Sequence, residues 1–96
     1  PYTVTARVIG MANSMMFAWT YAFNRAEPES IAQAREALHE TDELVLELGG
    51  IIWKPGIYGQ RLIMERLNPA TKNLMKKIKT LFDPKGIMNP GNWEIW

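Results

Sequence analysis

A chain of 96 residues makes one small domain, and its 47% hydrophobic and 10% aromatic content argues for a folded one. Eleven basic and ten acidic residues leave a formal charge of +1, which gives no pull toward nucleic acid or an anionic membrane. The absence of cysteine excludes a disulfide framework, a thiol nucleophile and a thiolate metal site.

Residues Tyr2 to Ile9 alternate with period two and are rich in β-branched types, which predicts a strand. Gly10 to Ser14 reads as a break. A second strand from Met15 to Phe23 places Met15, Phe17, Trp19, Tyr21 and Phe23 on one face. The two strands are expected to be antiparallel neighbours. That aromatic stripe suits an ordinary half-buried sheet face, or a pocket wall for a flat apolar ligand to which Trp19 and Tyr21 contribute.

Pro28 opens a helix at the position proline tolerates best, with Glu27 and Glu29 at the favourable end of its dipole. Ile31, Ala34, Leu38, Thr41, Val45 and Leu48 recur at helical spacing, and Gly49-Gly50 closes the run. Glu36, Glu40, Glu43 and Glu47 read as its solvated face. His39 is the only histidine and cannot build a metal site without carboxylates converging from elsewhere.

Ile51-Ile52-Trp53 is expected to be a short buried strand, followed by a loop from Lys54 to Gly59 and a short helix over Gln60 to Leu67. Asn68 with Pro69 predicts a capped helix start. The helix it opens should turn Leu74, Ile78, Leu81 and Phe82 to the core, with Met75 flanking. Lys72, Lys76 and Lys79, with Lys77 beside them, read as a solvated cationic stripe or a grip for phosphate. Strand, strand, helix, strand, helix, helix is an α+β pattern in a single domain spanning 1–96.

The segment Trp53-Lys54-Pro55-Gly56-Ile57-Tyr58-Gly59-Gln60-Arg61 carries a phenol, an ammonium and a guanidinium where a loop would leave a sheet. Arg61 beside the Tyr58 hydroxyl could hold a phenolate or a carboxylate by charge-assisted hydrogen bonds. The plain alternative is a basic surface turn.

The end of the chain is the most specific part. Asp83-Pro84-Lys85-Gly86-Ile87-Met88-Asn89-Pro90-Gly91 stops the last helix and turns two tight corners, with Gly86 and Gly91 supplying φ > 0. An apolar end follows at Ile95-Trp96. This arrangement resembles the C-terminus of FAD-linked oxidases of the vanillyl-alcohol-oxidase, 4-cresol-dehydrogenase and glycolate-oxidase type. The resemblance implies a ferredoxin-like cap subdomain, an antiparallel sheet with helices on one face. FAD would be held mainly by a separate domain or chain of the same enzyme. It further implies oxidation of a small, phenolic (4-hydroxybenzylic) substrate by hydride transfer to flavin. Tyr58 and Arg61 would be catalytic, Trp53, Lys54, Trp19 and Tyr21 would contact substrate, and Asn89 and Gly91 would face the cofactor.

Tyr58-Gly59-Gln60-Arg61 is one residue shorter than the Tyr-Gly-x-x-Arg context of the vanillyl-alcohol-oxidase branch. In the metal-dependent 2-hydroxy-acid branch, histidines and a Glu-His pair stand where this chain has Val8, Met15, Lys54 and Pro55, so no metal is expected. A dehydrogenase of a 2-hydroxy acid or other small alcohol, with Lys54 and Arg61 gripping a carboxylate, is the alternative enzyme. A non-catalytic α+β interaction module is the alternative outside enzymology. Pro1 lies inside a predicted strand, which reads as a piece of a larger polypeptide. With no long apolar run and no cleavable signal pattern, that polypeptide is expected to be soluble and cytoplasmic, without membrane or nucleic-acid partners. Self-association into a homo-oligomer stays open.

Overall fold

The computed structural model describes residues 2–93, with side chains for 7–10 and 12–93. The apolar end at 95–96 and the side-chain alternation expected at Tyr2, Val4 and Ala6 lie outside the described residues. The fold is α+β, two strands followed by three helices, and it divides into two compact units between Thr41 and Asp42.

In the first unit, β1 (Tyr2–Met11) and β2 (Ser14–Phe23) form an antiparallel hairpin, with Tyr2 opposite Phe23 and Met11 opposite Ser14. The expected five-residue break is therefore only a two-residue turn, Ala12-Asn13. Two-residue loops match strand twist when a central residue has φ > 0, and Ala12 adopts φ 47° despite its Cβ. That conformation costs about 1–2 kcal/mol, which the ten-pair ladder offsets. The odd-numbered face of β2 carries Phe17, Trp19 and Phe23 exposed and Tyr21 half-buried.

Helix α1 (Pro28–Glu47) begins as the sequence predicts. Ahead of it, the Asn24 side chain accepts from the Ala26 amide at 3.0 Å, and the Asn24 amide donates to the buried Ser30 hydroxyl at 3.1 Å. These bonds fix the turn that leads into the helix, using side-chain oxygens as acceptors for amides that precede its first turn. Ala34 is buried on this helix, while Thr41 donates to the Ala37 carbonyl at 2.7 Å and receives the Tyr21 hydroxyl.

The second unit starts with the last turns of α1. Gly49 has φ 80° and donates to the Leu46 carbonyl, and Gly50 donates to the Val45 carbonyl at 2.8 Å. This double closure is the Schellman ending that Gly49-Gly50 predicts. Helix α2 (Ile57–Arg66) and helix α3 (Pro69–Phe82) follow. The Asn68 side chain caps α3 by accepting from the Ala70 amide at 2.8 Å.

Two expectations fail here. Ile51-Ile52-Trp53 forms no strand and is not buried, since Ile51 is 89% and Trp53 70% exposed. The four residues between Gly50 and Pro55 are too few to hold a strand without a neighbour to pair with. The apolar stripe of α3 also stays outside the unit's core, with Leu81 75% and Phe82 77% exposed and Leu74 and Ile78 uncovered; Met75 alone is half-buried. An amphipathic helix records which face wants to leave water, and here nothing among the described residues covers it.

The second unit instead buries Met64 completely, together with Asp42, Gln60 and Asp83. A Cβ on Gly59 would lie 2.9 Å from an Asp42 carboxylate oxygen and 3.0 Å from Pro55. Glycine is thus what lets the first turn of α2 approach α1 so closely. The carboxylate beside it sits at the positive end of the α2 dipole, where the N-cap Gly56 offers no side chain.

Candidate functional site

Helix α2 is the platform of the candidate site, and it begins earlier than the sequence suggests. Gly56 is extended (φ −69°, ψ −179°), and its carbonyl accepts from the Gln60 amide at 2.9 Å. Tyr58 and Gly59 therefore stand in the first turn of a helix, and the expected loop leaving a sheet is a non-strand connection entering a helix. The helix places Tyr58 and Arg61 three residues apart, so both project from neighbouring positions on one side.

Their environments differ. The Tyr58 hydroxyl donates to the Glu43 carboxylate of α1. That hydrogen bond is the main cause holding the phenol's pKa above its usual value, helped by desolvation and by the charges of Glu43, Asp42 and Glu65. Tyr58 consequently keeps its proton. Arg61 is exposed and makes no hydrogen bond or ion pair among the described residues. Just before α2, the Lys54 ammonium lies 5.0 Å from the centroid of the exposed Trp53 ring. A cation–π contact of this kind contributes about 0.5–1 kcal/mol and presets both side chains ahead of any ligand.

The terminal motif is built around Asp83, whose importance the sequence signals only as a helix stop. Its carboxylate accepts from the Ile87 amide at 3.0 Å, from the Met88 amide at 2.9 Å and from the Lys79 ammonium. Lys79 also donates to the Met88 carbonyl. Lys79 is thus a structural cation, and the expected lysine stripe loses that member. The first corner turns at Gly86 (φ 63°), which donates to the Asp83 carbonyl at 3.1 Å. The Lys79 bond, then the two amides, hold the Asp83 carboxyl down at about 2 against an ordinary 3.8.

A depressed carboxyl stabilises the folded state above its unfolded pKa and loses that contribution as pH falls through the folded one. Asp83→Asn is therefore expected to melt several degrees below the parent at neutral pH, with the gap shrinking between pH 3.8 and about 2. Melting curves over that range check it. A gap that does not depend on pH would mean that the charge of Asp83 is unimportant.

The second corner, Asn89 to Trp93, lies against α2. Asn89 (φ 47°), Gly91 (φ 82°) and Trp93 (φ 58°) all have positive φ, and the Asn92 amide donates to the Asn89 carbonyl at 3.3 Å. Gln60 ties this corner to α2, a role that sequence reasoning misses because a helical glutamine carries no motif. The structure thus brings Trp53, Lys54, Tyr58, Arg61 and the Asn89–Gly91 corner into one unit. Trp19 and Tyr21 belong to the hairpin unit, where the Tyr21 hydroxyl is engaged with Thr41. An open groove of about 790 Å³ runs between α3 and the corner, walled by Met75, Ile78, Phe82, Met88 and Trp93. No group of three or more His, Asp or Glu side chains converges among the described residues.

Comparison with known proteins agrees with this architecture. Residues 2–93 match the family described as FAD linked oxidases, C-terminal domain. A stretch of 50 residues, 50% of this chain, is 48% identical to a D-lactate dehydrogenase of Archaeoglobus fulgidus and covers 11% of that protein's length. The chain therefore corresponds to a minor part of that curated relative. No solved structure matches it.

Proposed function

The chain belongs to the C-terminal domain family of FAD linked oxidases, and from that premise we propose that it forms the substrate side of an FAD-dependent dehydrogenase acting on a small 2-hydroxy acid. The family's cofactor is FAD. The described residues would meet at most the edge of its ring system and not the whole dinucleotide. Gly10, Gly49, Gly56, Gly86 and Gly91 have open space where a Cβ would stand, but they are spread along the chain and none belongs to a glycine-rich turn into a helix that cradles a pyrophosphate. The Asn89 amide and the backbone at Gly91 offer neutral hydrogen-bonding groups suited to a ring edge. The rest of the cofactor would be held by a flavin-binding part of the enzyme. When bound, FAD supplies the two-electron acceptor.

The observation that carries the substrate class is the contrast between Arg61 and Tyr58. The guanidinium is uncommitted, while the phenol is protonated and already donates to Glu43. An uncommitted guanidinium, with Lys54 three positions ahead of α2, suits a carboxylate through bidentate charge-assisted bonds. Trp53 would shield the apolar side of a short acid. Similarity to a D-lactate dehydrogenase supports the same class. Val8, Met15 and Pro55 offer no ligand for a divalent ion, so this reading relies on side-chain cations.

A phenolic substrate is the second reading, favoured by the placement of Tyr58 and Arg61 within one turn of α2. It requires the Tyr58 hydroxyl to leave Glu43 and donate to a phenolate. Steady-state turnover of the complete flavoenzyme on D- and L-2-hydroxy acids and on 4-hydroxybenzyl alcohols separates the two. Turnover of hydroxy acids alone is expected, and exclusive turnover of phenols would reverse the assignment.

A further inference from the structure

We propose that Gln60 is the positioning residue of this site, holding the strained Asn89–Trp93 corner against the helix that presents Tyr58 and Arg61. The inference rests on the reading of α2 as the substrate-facing element.

Gln60 is buried in the first turns of α2, and each end of its amide is used. Its Oε1 accepts from the Trp93 backbone amide at 3.0 Å. Its Nε2 donates to the Asn92 Oδ1 at 3.3 Å and to the Pro55 carbonyl at 3.4 Å. A backbone N–H can only donate and a carbonyl can only accept, so these partners fix which way the amide points. One side chain thereby connects three pieces: the approach through Pro55, the helix itself, and a corner more than thirty residues later in sequence.

The corner needs such a fastening. Positive φ at Trp93 is rare for a bulky side chain, and a backbone in a sparsely populated region persists only where its surroundings over-determine it. Among the described residues, the Trp93 amide bond to Gln60 is the contact that does so at that residue. Release of the bond frees Trp93 to return to negative φ, which moves Asn89 and Gly91 relative to Arg61. The shortness of Gln60's reach from α2 makes it a spacer as well as a tether: Glu at this position keeps the acceptor for Trp93 and loses the donor for Asn92 and Pro55, whereas Met keeps the volume and loses both.

The test uses the complete flavoenzyme with Gln60→Met and Gln60→Glu. Hydrogen–deuterium exchange of the segment carrying residues 90–93 is expected to quicken at least tenfold in Gln60→Met and to stay near the parent in Gln60→Glu. kcat/KM is expected to fall at least tenfold in Gln60→Met, mainly through kcat, with partial recovery in Gln60→Glu. Flavin dissociation, read from the protein-bound absorbance after dilution, should quicken in the same order. A parent enzyme that turns over neither substrate class sinks the substrate reading alone, because exchange and flavin dissociation still decide on Gln60. The assignment is overturned if Gln60→Met leaves the exchange unchanged, or quickens it without altering either kcat/KM or flavin dissociation. A Gln60→Met protein that does not fold leaves the decision to Gln60→Glu, where kcat/KM and flavin dissociation both at the parent's values would overturn it.

Discussion

Replacing Arg61 with alanine in the complete flavoenzyme is expected to lower kcat/KM by roughly 30- to 1,000-fold, or about 2–4 kcal/mol of transition-state stabilisation. The size is that expected if, as proposed, Arg61 faces an anionic substrate in a site that the rest of the enzyme closes from water, where its bonds would not be replaced by solvent. Arg61→Lys should recover only part of the loss, because an ammonium is a point charge without the planar fork that meets both carboxylate oxygens. The melting midpoint should hardly move, since Arg61 is exposed and makes no bond among the described residues. Steady-state kinetics and a thermal melt on the same preparation check both statements. Unchanged kinetics with a drop of several degrees would make Arg61 structural, and the substrate site would have to be sought elsewhere.

That prediction could be framed from the sequence because Tyr58 and Arg61 stand out by chemistry. The elements that turn on local rules were legible in the same way. Pro28 and Asn68-Pro69 start helices, Gly49-Gly50 closes one, and Gly86 and Gly91 take positive φ, each because backbone geometry is decided within a few residues. What failed depended on partners distant in sequence. Ile51-Ile52-Trp53 has strand composition but no pairing neighbour, and Tyr58-Gly59 joined a helix because Gly56 caps it and Asp42 lies beside its first turn. The hairpin register escaped because an alanine occupies a turn position where glycine or asparagine would have announced it. Gln60 and Asp83 carry the site's scaffolding through bonds that no spacing rule predicts.

The uncovered face of α3 yields the second large effect. Leu74, Ile78, Leu81 and Phe82 recur at helical spacing, and Ile87 and Met88 extend the patch into the terminal motif, all exposed in this chain. Fully burying a side chain of this size stabilises by about 1.5–3 kcal/mol, so leaving six of them in water makes sense only if another surface takes them. The D-lactate dehydrogenase relative extends well beyond the 11% of its length that matches this chain, and a flavin-binding part of that kind would offer such a surface. We expect the flavin-binding part of the enzyme to cover the patch. Phe82→Asp should then cost the assembled enzyme about 3–5 kcal/mol through lost packing alone, with the buried charge adding to it. The complete protein should melt many degrees lower and purify with less than its full complement of flavin, whereas Lys77→Asp on the exposed polar side of α3 should do neither. If a Phe82→Asp enzyme keeps its flavin and melts within a degree of the parent, the face lies in solvent in the whole protein, and the apolar stripe of α3 must serve some contact other than assembly with the flavin-binding part.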